Sequence, residues 1–262
     1  MKRLEKEDPT FEWKIDEETG QTIISGMGEL HLEIISGRLL NFYRVEAKVG
    51  KPRVSYKQTL AKEVETEGRF EREQGGVQHF AAVKMRFEPW PGTKEASIAF
   101  ESKIPSSKLE REFVKAVEEG VISTAQGGVG WGYPLVNFKA TLLEAEVNEH
   151  STEVAFSAAA SLALRKATEE ENTQLLEPIM LLEITTPEES VGDLLQDLHS
   201  RKADILEMKK EEDLTIIRCT VPLAKMFGYS TDIRSLSQGR ASFTMEPYQY
   251  APVHPDDIPS FY

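Results

Sequence analysis

By type and spacing, the residues best placed for chemistry are the paired glycines of SGMGELHLEII, Ser25 to Ile35. They follow a short β-branched run and precede an amphipathic one, where a dinucleotide or phosphate loop would sit. A dinucleotide fingerprint needs a third glycine and a distal acid. Here Leu30, His31 and Leu32 fall where that glycine should be. Glu29 would set a carboxylate where the phosphate binds, and like charges repel. The glycines are therefore read as a tight strand-to-helix entry, with Glu29 complementing the helix dipole. No phosphate-loop pattern ending in Gly-Lys-Ser/Thr occurs, and Gly50-Lys51 runs into Pro52. No nucleoside triphosphate site is expected in this chain. His31, His79, His150, His199 and His254 are scattered without metal-ligand spacing, and His31 is expected to pack or hydrogen-bond on its helix. The single cysteine, Cys219, lies in the apolar run LTIIRCTVPLA and reads as a buried strand residue in a reducing compartment. No carboxylate pair has an apolar setting. The residues thus predict no catalytic group, no metal and no cofactor in this chain.

The chain has 262 residues and a net charge of −13. That charge argues against generic nucleic-acid binding, which rests on Lys and Arg neutralising phosphates, but it leaves room for a local basic face. With 40 % hydrophobic and 29 % charged residues the composition is that of a globular chain. No apolar run reaches the roughly 18 residues of a membrane helix. The N-terminal MKRLEKEDPTFEW lacks the apolar core of a signal peptide. A cytoplasmic monomer without membrane contact is expected.

The elements that must carry these residues follow from periodicity. QTIISGMGELHLEIISGRLLNFYRVEAKVG reads as strand, helix, strand, with the last strand over Phe42–Val49. RVSYKQTLAKEVETEGRF, FAAVKMRFEPW and ASIAFESKIP alternate as strands, and EREQGGVQHF is a hairpin with a Gly-Gly tip. A helix is expected from Ser106 to Glu119, capped by Ser106 or Ser107. VNFKATLLEAEV is a strand, NEHS a tip, and STEVAFSAAASLALRKATEE a capped helix. From Glu177 the order is βαββαβ, the ferredoxin-like split unit. The tail after Tyr250 is too proline-rich for a helix. The fold class is α+β.

Longer motifs add a resemblance. GMGELHLEII followed by FYRVEAKVGKPRVSYKQT resembles the end of the third domain of translation elongation factor G running into its fourth. GWGYPLVNFKATL resembles its GYP segment. LLEPIMLLEITTPEESVGDLLQDLHSRKADI and VPLAKMFGYSTDIRSLSQGRASFTMEP resemble its fifth domain. The resemblance runs from about Leu4 to Tyr250. It implies four segments. Residues 1–52 form a partial ferredoxin-like third domain and 53–174 an arm like ribosomal protein S5 domain 2. Residues 175–250 form a complete ferredoxin-like domain and 251–262 a tail. The GTPase part, with GTP and Mg, is absent from this sequence, so a C-terminal piece or a split gene product is expected.

The resemblance also implies partners: a ribosome, with ribosomal RNA of both subunits and the stalk base, and the transfer RNA–messenger RNA pair. In the family the loop tips of the fourth domain enter the decoding centre during translocation. The matching positions here are Gln74, Gly75, Gly76 and Val77 in the first tip and Asn148, Glu149 and His150 in the second. Arg234, Ser235 and Arg240 match the fifth domain's large-subunit segment, where an intradomain ion pair is the alternative role for the arginines. The tips depart from the family pattern. Val77 stands where an arginine is usual, Val147 where a histidine is usual, and Glu144, Glu146 and Glu149 add carboxylates. Three functions are therefore carried forward. They are the module of a translocating factor, a paralogue acting in ribosome recycling or another non-translocating step, and a protein-interaction module that does not bind ribosomes.

Overall fold

The structure, a computed structural model, describes residues 1–17, 19–26, 29–50, 52–93 and 96–258. Two compact units are formed, Met1–Ser55 with Glu177–Ala251 and Tyr56–Leu176 with Pro252–Tyr262. Among the described residues no helix is long and apolar enough to cross a membrane.

In the first segment, helix α1 (Lys2–Glu7) precedes the antiparallel pair β1 (Glu12–Ile15) and β2 (Thr22–Ser25), and α2 (Glu29–Gly37) runs on into a π-helical turn over Arg38–Phe42. Leu4, Phe11, Ile35 and Leu39 form a small core. His31 bonds off its own helix: its Nε2 lies 2.7 Å from Asp8 Oδ2, closing the end of α1 onto α2. The Thr10 hydroxyl, the Thr10 amide and then His31 hold the Asp8 carboxyl below the usual carboxylate range. Gly26 leaves room for that ring, since a Cβ there would lie 2.7 Å from His31 Nδ1. Met27 and Gly28 lie outside the described residues. The strand expected over Phe42–Val49 does not form: no strand spans residues 43–50. The π-helical turn absorbs Phe42, Arg44 takes a left-handed φ of 51°, and Val45 N donates back to Leu39 O. Alternation makes a strand only beside a free strand edge, and among the described residues nothing pairs with this segment.

The second unit begins with β3 (Lys57–Leu60) and β4 (Val64–Gln74), separated at Ala61–Glu63 where one continuous strand was expected. β5 (Val77–Pro89), β6 (Ile98–Ser102), α3 (Arg111–Gln126), β7 (Phe138–Glu146) and α4 (Glu153–Ala167) complete it. The sheet order is β4-β5-β7-β6, with β6 and β7 parallel. Alternate residues of β5 and β7, among them Val83, Met85, Phe87, Phe138, Ala140 and Leu142, pack with α3 and α4 in one core. The opposite face carries cross-strand ion pairs such as Arg86–Glu65 at 2.7 Å and Lys139–Glu101 at 2.6 Å. The expected serine caps of α3 are not used. The helix starts at Arg111 behind Glu110, whose side chain makes no cap bond, because Leu109 is anchored in the core and fixes the entry. α4 is capped as expected, with Thr152 Oγ1 accepting from Ala155 N.

Strand β8 (Thr173–Pro187) pairs through Thr173–Leu176 with β3 and through Ile179–Pro187 with β10 (Leu214–Pro222). With α5 (Val191–Ser200), β9 (Asp204–Glu211), α6 (Tyr229–Leu236) and β11 (Ser242–Pro252) it gives βαββαβ and the order β11-β8-β10-β9, a ferredoxin-like sheet. α5 and α6 cover Leu182, Ile184, Ile217, Cys219 and Val221. Burial pushes the Cys219 thiol up to about 11. β11 runs into the tail as far as Pro252, and the described residues beyond it include a 3-10 turn, Pro255–Asp257.

Candidate nucleic-acid interface

The first tip follows from register. β4 and β5 pair without interruption from Val64↔Phe87 to Gln74↔Val77, so only two residues remain for the turn. Gly75 and Gly76 both adopt left-handed φ, 62° and 80°, the geometry that matches the twist of a two-residue hairpin. Val77 follows with 56 % of its surface exposed. The side chain of Gln74 lies outside the described set.

The second tip, between β7 and α4, is a tight turn. Asn148 Oδ1 accepts from His150 N at 2.9 Å, and Ser151 Oγ accepts from Asn148 N at 2.9 Å. This turn is tied to the first hairpin. Phe80 N donates to His150 O at 2.9 Å, and His79 Nδ1 lies 3.0 Å from the capping hydroxyl of Thr152. Both tips therefore sit at one end of the unit, held together three residues behind Val77. Glu149 extends from this end, 86 % exposed, with its carboxylate 3.6 Å from the His150 ring.

The acidic character expected of the second tip is smaller than the sequence suggests. Glu144 and Glu146 belong to β7, in line with the strand read over VNFKATLLEAEV. Glu144 faces Lys84 at 3.8 Å and Glu146 faces Arg69 at 3.6 Å. Cross-strand cations thus offset both carboxylates, and Glu149 is the acid of the tip itself.

Around the end of α6 the structure places Arg234 and Ser235 on the exposed last turn. Gly239 N donates to Arg234 O at 2.7 Å and Gln238 N to Ser235 O at 3.4 Å, a Schellman closure. Gln238 takes the left-handed position, φ 54°. Gln238→Gly is therefore expected to stabilise this unit by about 1 kcal/mol, read as a raised urea midpoint with unchanged slope. Arg240 is ion-paired with Glu189, so the intradomain role foreseen as its alternative is the one observed. Arg234 has no carboxylate partner among the described residues.

Sequence reasoning missed His79 and Phe80, which join the two tips; their spacing carries no signal, since the partners are Thr152 and His150. It also missed Gln58. Fully buried, Gln58 donates from its side-chain nitrogen to Val129 O and Tyr133 O and so pins the glycine-rich loop before β7. Among the described residues no group of His, Cys, Asp and Glu could hold a metal ion.

Comparison with known proteins assigns these pieces. The family model for elongation factor G domain III matches residues 1–51, that for domain IV residues 52–171, and that for the elongation factor G C-terminus residues 174–260. A crystal structure of a protein from Thermus thermophilus superposes with a TM-score of 0.83 at 36 % identity, over 97 % of this chain. The chain spans 38 % of the length of that structure.

Proposed function

Because the chain belongs to the elongation factor G family, we propose that it is the ribosome-binding C-terminal module of a translational GTPase, acting as the arm that moves the transfer RNA–messenger RNA pair. One observation carries this reading: the two family tip positions are tied to each other by Phe80 and His79 at one end of a unit with a dense core. A tip built this way approaches a crowded RNA surface as one rigid object. The proposed RNA contacts are Gln74, Gly75, Gly76 and Val77 with Asn148, Glu149 and His150. Arg234, Ser235 and Arg240 are the proposed large-subunit contacts, near the stalk base. Arg240 must leave Glu189 to serve, and an exposed pair worth about 0–1 kcal/mol permits that. GTP and Mg would act in another part of such a factor. The reading places the protein in the cytoplasm as a monomer.

A second reading, a paralogue with a non-translocating ribosomal role, is favoured by Val77. An exposed apolar side chain at the point of the arm offers nothing to a phosphate.

Ribosome co-sedimentation across a salt series tests both. Val77→Arg is expected to tighten binding about tenfold, the effect of one charge-assisted phosphate contact of roughly 1.5 kcal/mol. Arg234→Ala is expected to weaken binding and lower the log–log salt slope by about 1. Gln at Glu144 and Glu146 should leave binding unchanged, because those carboxylates already face Lys84 and Arg69. Absence of ribosome binding at low salt would sink the proposal.

A further inference from the structure

Between the open edge of β4 and the outward stripe of α4 runs a groove of about 470 Å³, lined by Arg69, Phe70, Glu71, Arg72, Ala158 and Leu162. Arg165 and Lys166 follow Leu162 at helical spacing, so they continue the same stripe. Arg72 and Arg165 have no carboxylate partner among the described residues. Arg69 and Glu71 pair with each other at 3.1 Å on the outer face of the sheet, where Arg69 also meets Glu146 at 3.6 Å, so they add no positive charge to the groove. Lys166 Nζ donates to Glu67 O at 2.8 Å, which shows that the backbone of Glu67 points out of the sheet edge. By strand alternation the amides of Arg69 and Glu71 face the same way. In a chain of net charge −13, Arg72, Arg165 and Lys166 make a local cationic run beside a strand edge that presents backbone N–H and C=O groups alike. Arg72 on the strand and Arg165 on the helix face the groove from two different elements, so a bound anion is met from both walls.

We propose that this groove is a second anion contact on the arm, separate from the tips, and takes the phosphodiester backbone of an RNA strand. The proposal rests on the ribosome-binding reading for its partner. An added peptide strand fits less well. α4 already closes the edge at Thr66, whose hydroxyl donates to Ala163 O at 2.8 Å, and at Gly68, which packs on Ala159. What stays open is short and carries guanidinium groups.

The test compares the native chain with the double variant Arg72→Gln, Arg165→Gln, and with a charge-matched control, Lys108→Gln, Arg111→Gln, on another part of the unit. Fluorescence anisotropy follows a short RNA hairpin, and co-sedimentation follows ribosomes. All four side chains are exposed, so equal melting temperatures are expected. The double variant should bind the hairpin about tenfold more weakly than the control. Its log–log salt slope should be smaller by about 2. Hairpin binding lost in the double variant, without ribosome binding by any form, keeps the groove and removes the ribosome reading. Ribosome binding that is identical in the double variant and the control overturns the groove and leaves that reading standing. Loss of binding to an extended acidic peptide, with RNA binding unchanged, also overturns it.

Discussion

Gly68→Ala is expected to destabilise the arm unit by about 3 kcal/mol or more, although it adds only one methyl group. Gly68 lies in β4 where the strand meets α4. A Cβ built there would sit 1.9 Å from the carbonyl oxygen of Ala159 and 2.8 Å from the amide nitrogen of Ala163. Both neighbours are helix backbone and cannot swing aside as a side chain would. The helix must lift from the strand, and the interior behind it includes Phe156, Ala160 and Leu164. The control is Gly75→Ala at the hairpin tip. Nothing lies within 4 Å of a Cβ there, so only the left-handed φ of 62° resists the change, at about 1 kcal/mol. Urea unfolding followed through tryptophan fluorescence separates the two. A loss below about 1 kcal/mol for Gly68→Ala would show that β4 and α4 are less closely packed than described.

Arg201→Ala is expected to remove about 3 kcal/mol from the ferredoxin-like domain. Arg201 is a cation with only 13 % of its side chain exposed. It donates to Asp197 Oδ2 at 2.8 Å, to Asp232 Oδ2 at 2.6 Å and to Lys225 O at 2.5 Å, while its guanidinium lies 4.8 Å from the centre of the Tyr229 ring. Burial works against the charge, yet the hydrogen bonds that Arg201 donates to Asp197 and Asp232 prevail and hold its pKa above its ordinary value. Removing the arginine leaves Asp197 as a largely buried carboxylate. It also unties α5 from the segment that leads into α6, the helix that carries Arg234 and Ser235. The double variant Arg201→Ala, Asp197→Ala should therefore cost less than the sum of the two single changes, by about 1 kcal/mol or more. Additive losses would mean that the pair is not coupled.

Local signals were legible in the sequence, and those that depend on register or on distant partners were not. The Gly75-Gly76 turn could be read because a two-residue loop between alternating strands needs left-handed residues. The Thr152 cap and the βαββαβ order could be read from motifs within a few residues. Glu144 and Glu146 were counted among the acids of the tip, although their run reads as a strand, because their partners depend on a bulge. The pairing of β5 with β7 shifts between Lys84 and Met85, and that shift sets Lys84 opposite Glu144. His31 was assigned to its own helix, whereas its partner is Asp8, 23 residues earlier in the chain. The Phe42–Val49 alternation was sound as a pattern, but a strand also needs a partner, and periodicity does not supply one. At the tips the glycines were visible, whereas the clasp of His79 and Phe80 on the second loop was not. That clasp decides whether two loops act as one surface.

If the joined tips meet ribosomal RNA, as proposed, a cleaving group placed on them must cut it. Cys219 is fully buried with its thiol pushed up to about 11, so at neutral pH it is scarcely reactive. Asn148→Cys therefore provides a single addressable thiol at the joined tips. A tethered iron–EDTA group there cleaves RNA within reach by hydroxyl radicals. With ribosomes, the expected result is strand breaks confined to the decoding region of the small-subunit RNA, weakened by added salt and absent when the same probe sits on Ser97→Cys, at the end of the same sheet away from the tips. Ribosomes that bind the labelled protein yet show no cleavage in that region, or the same cleavage from both positions, would contradict it.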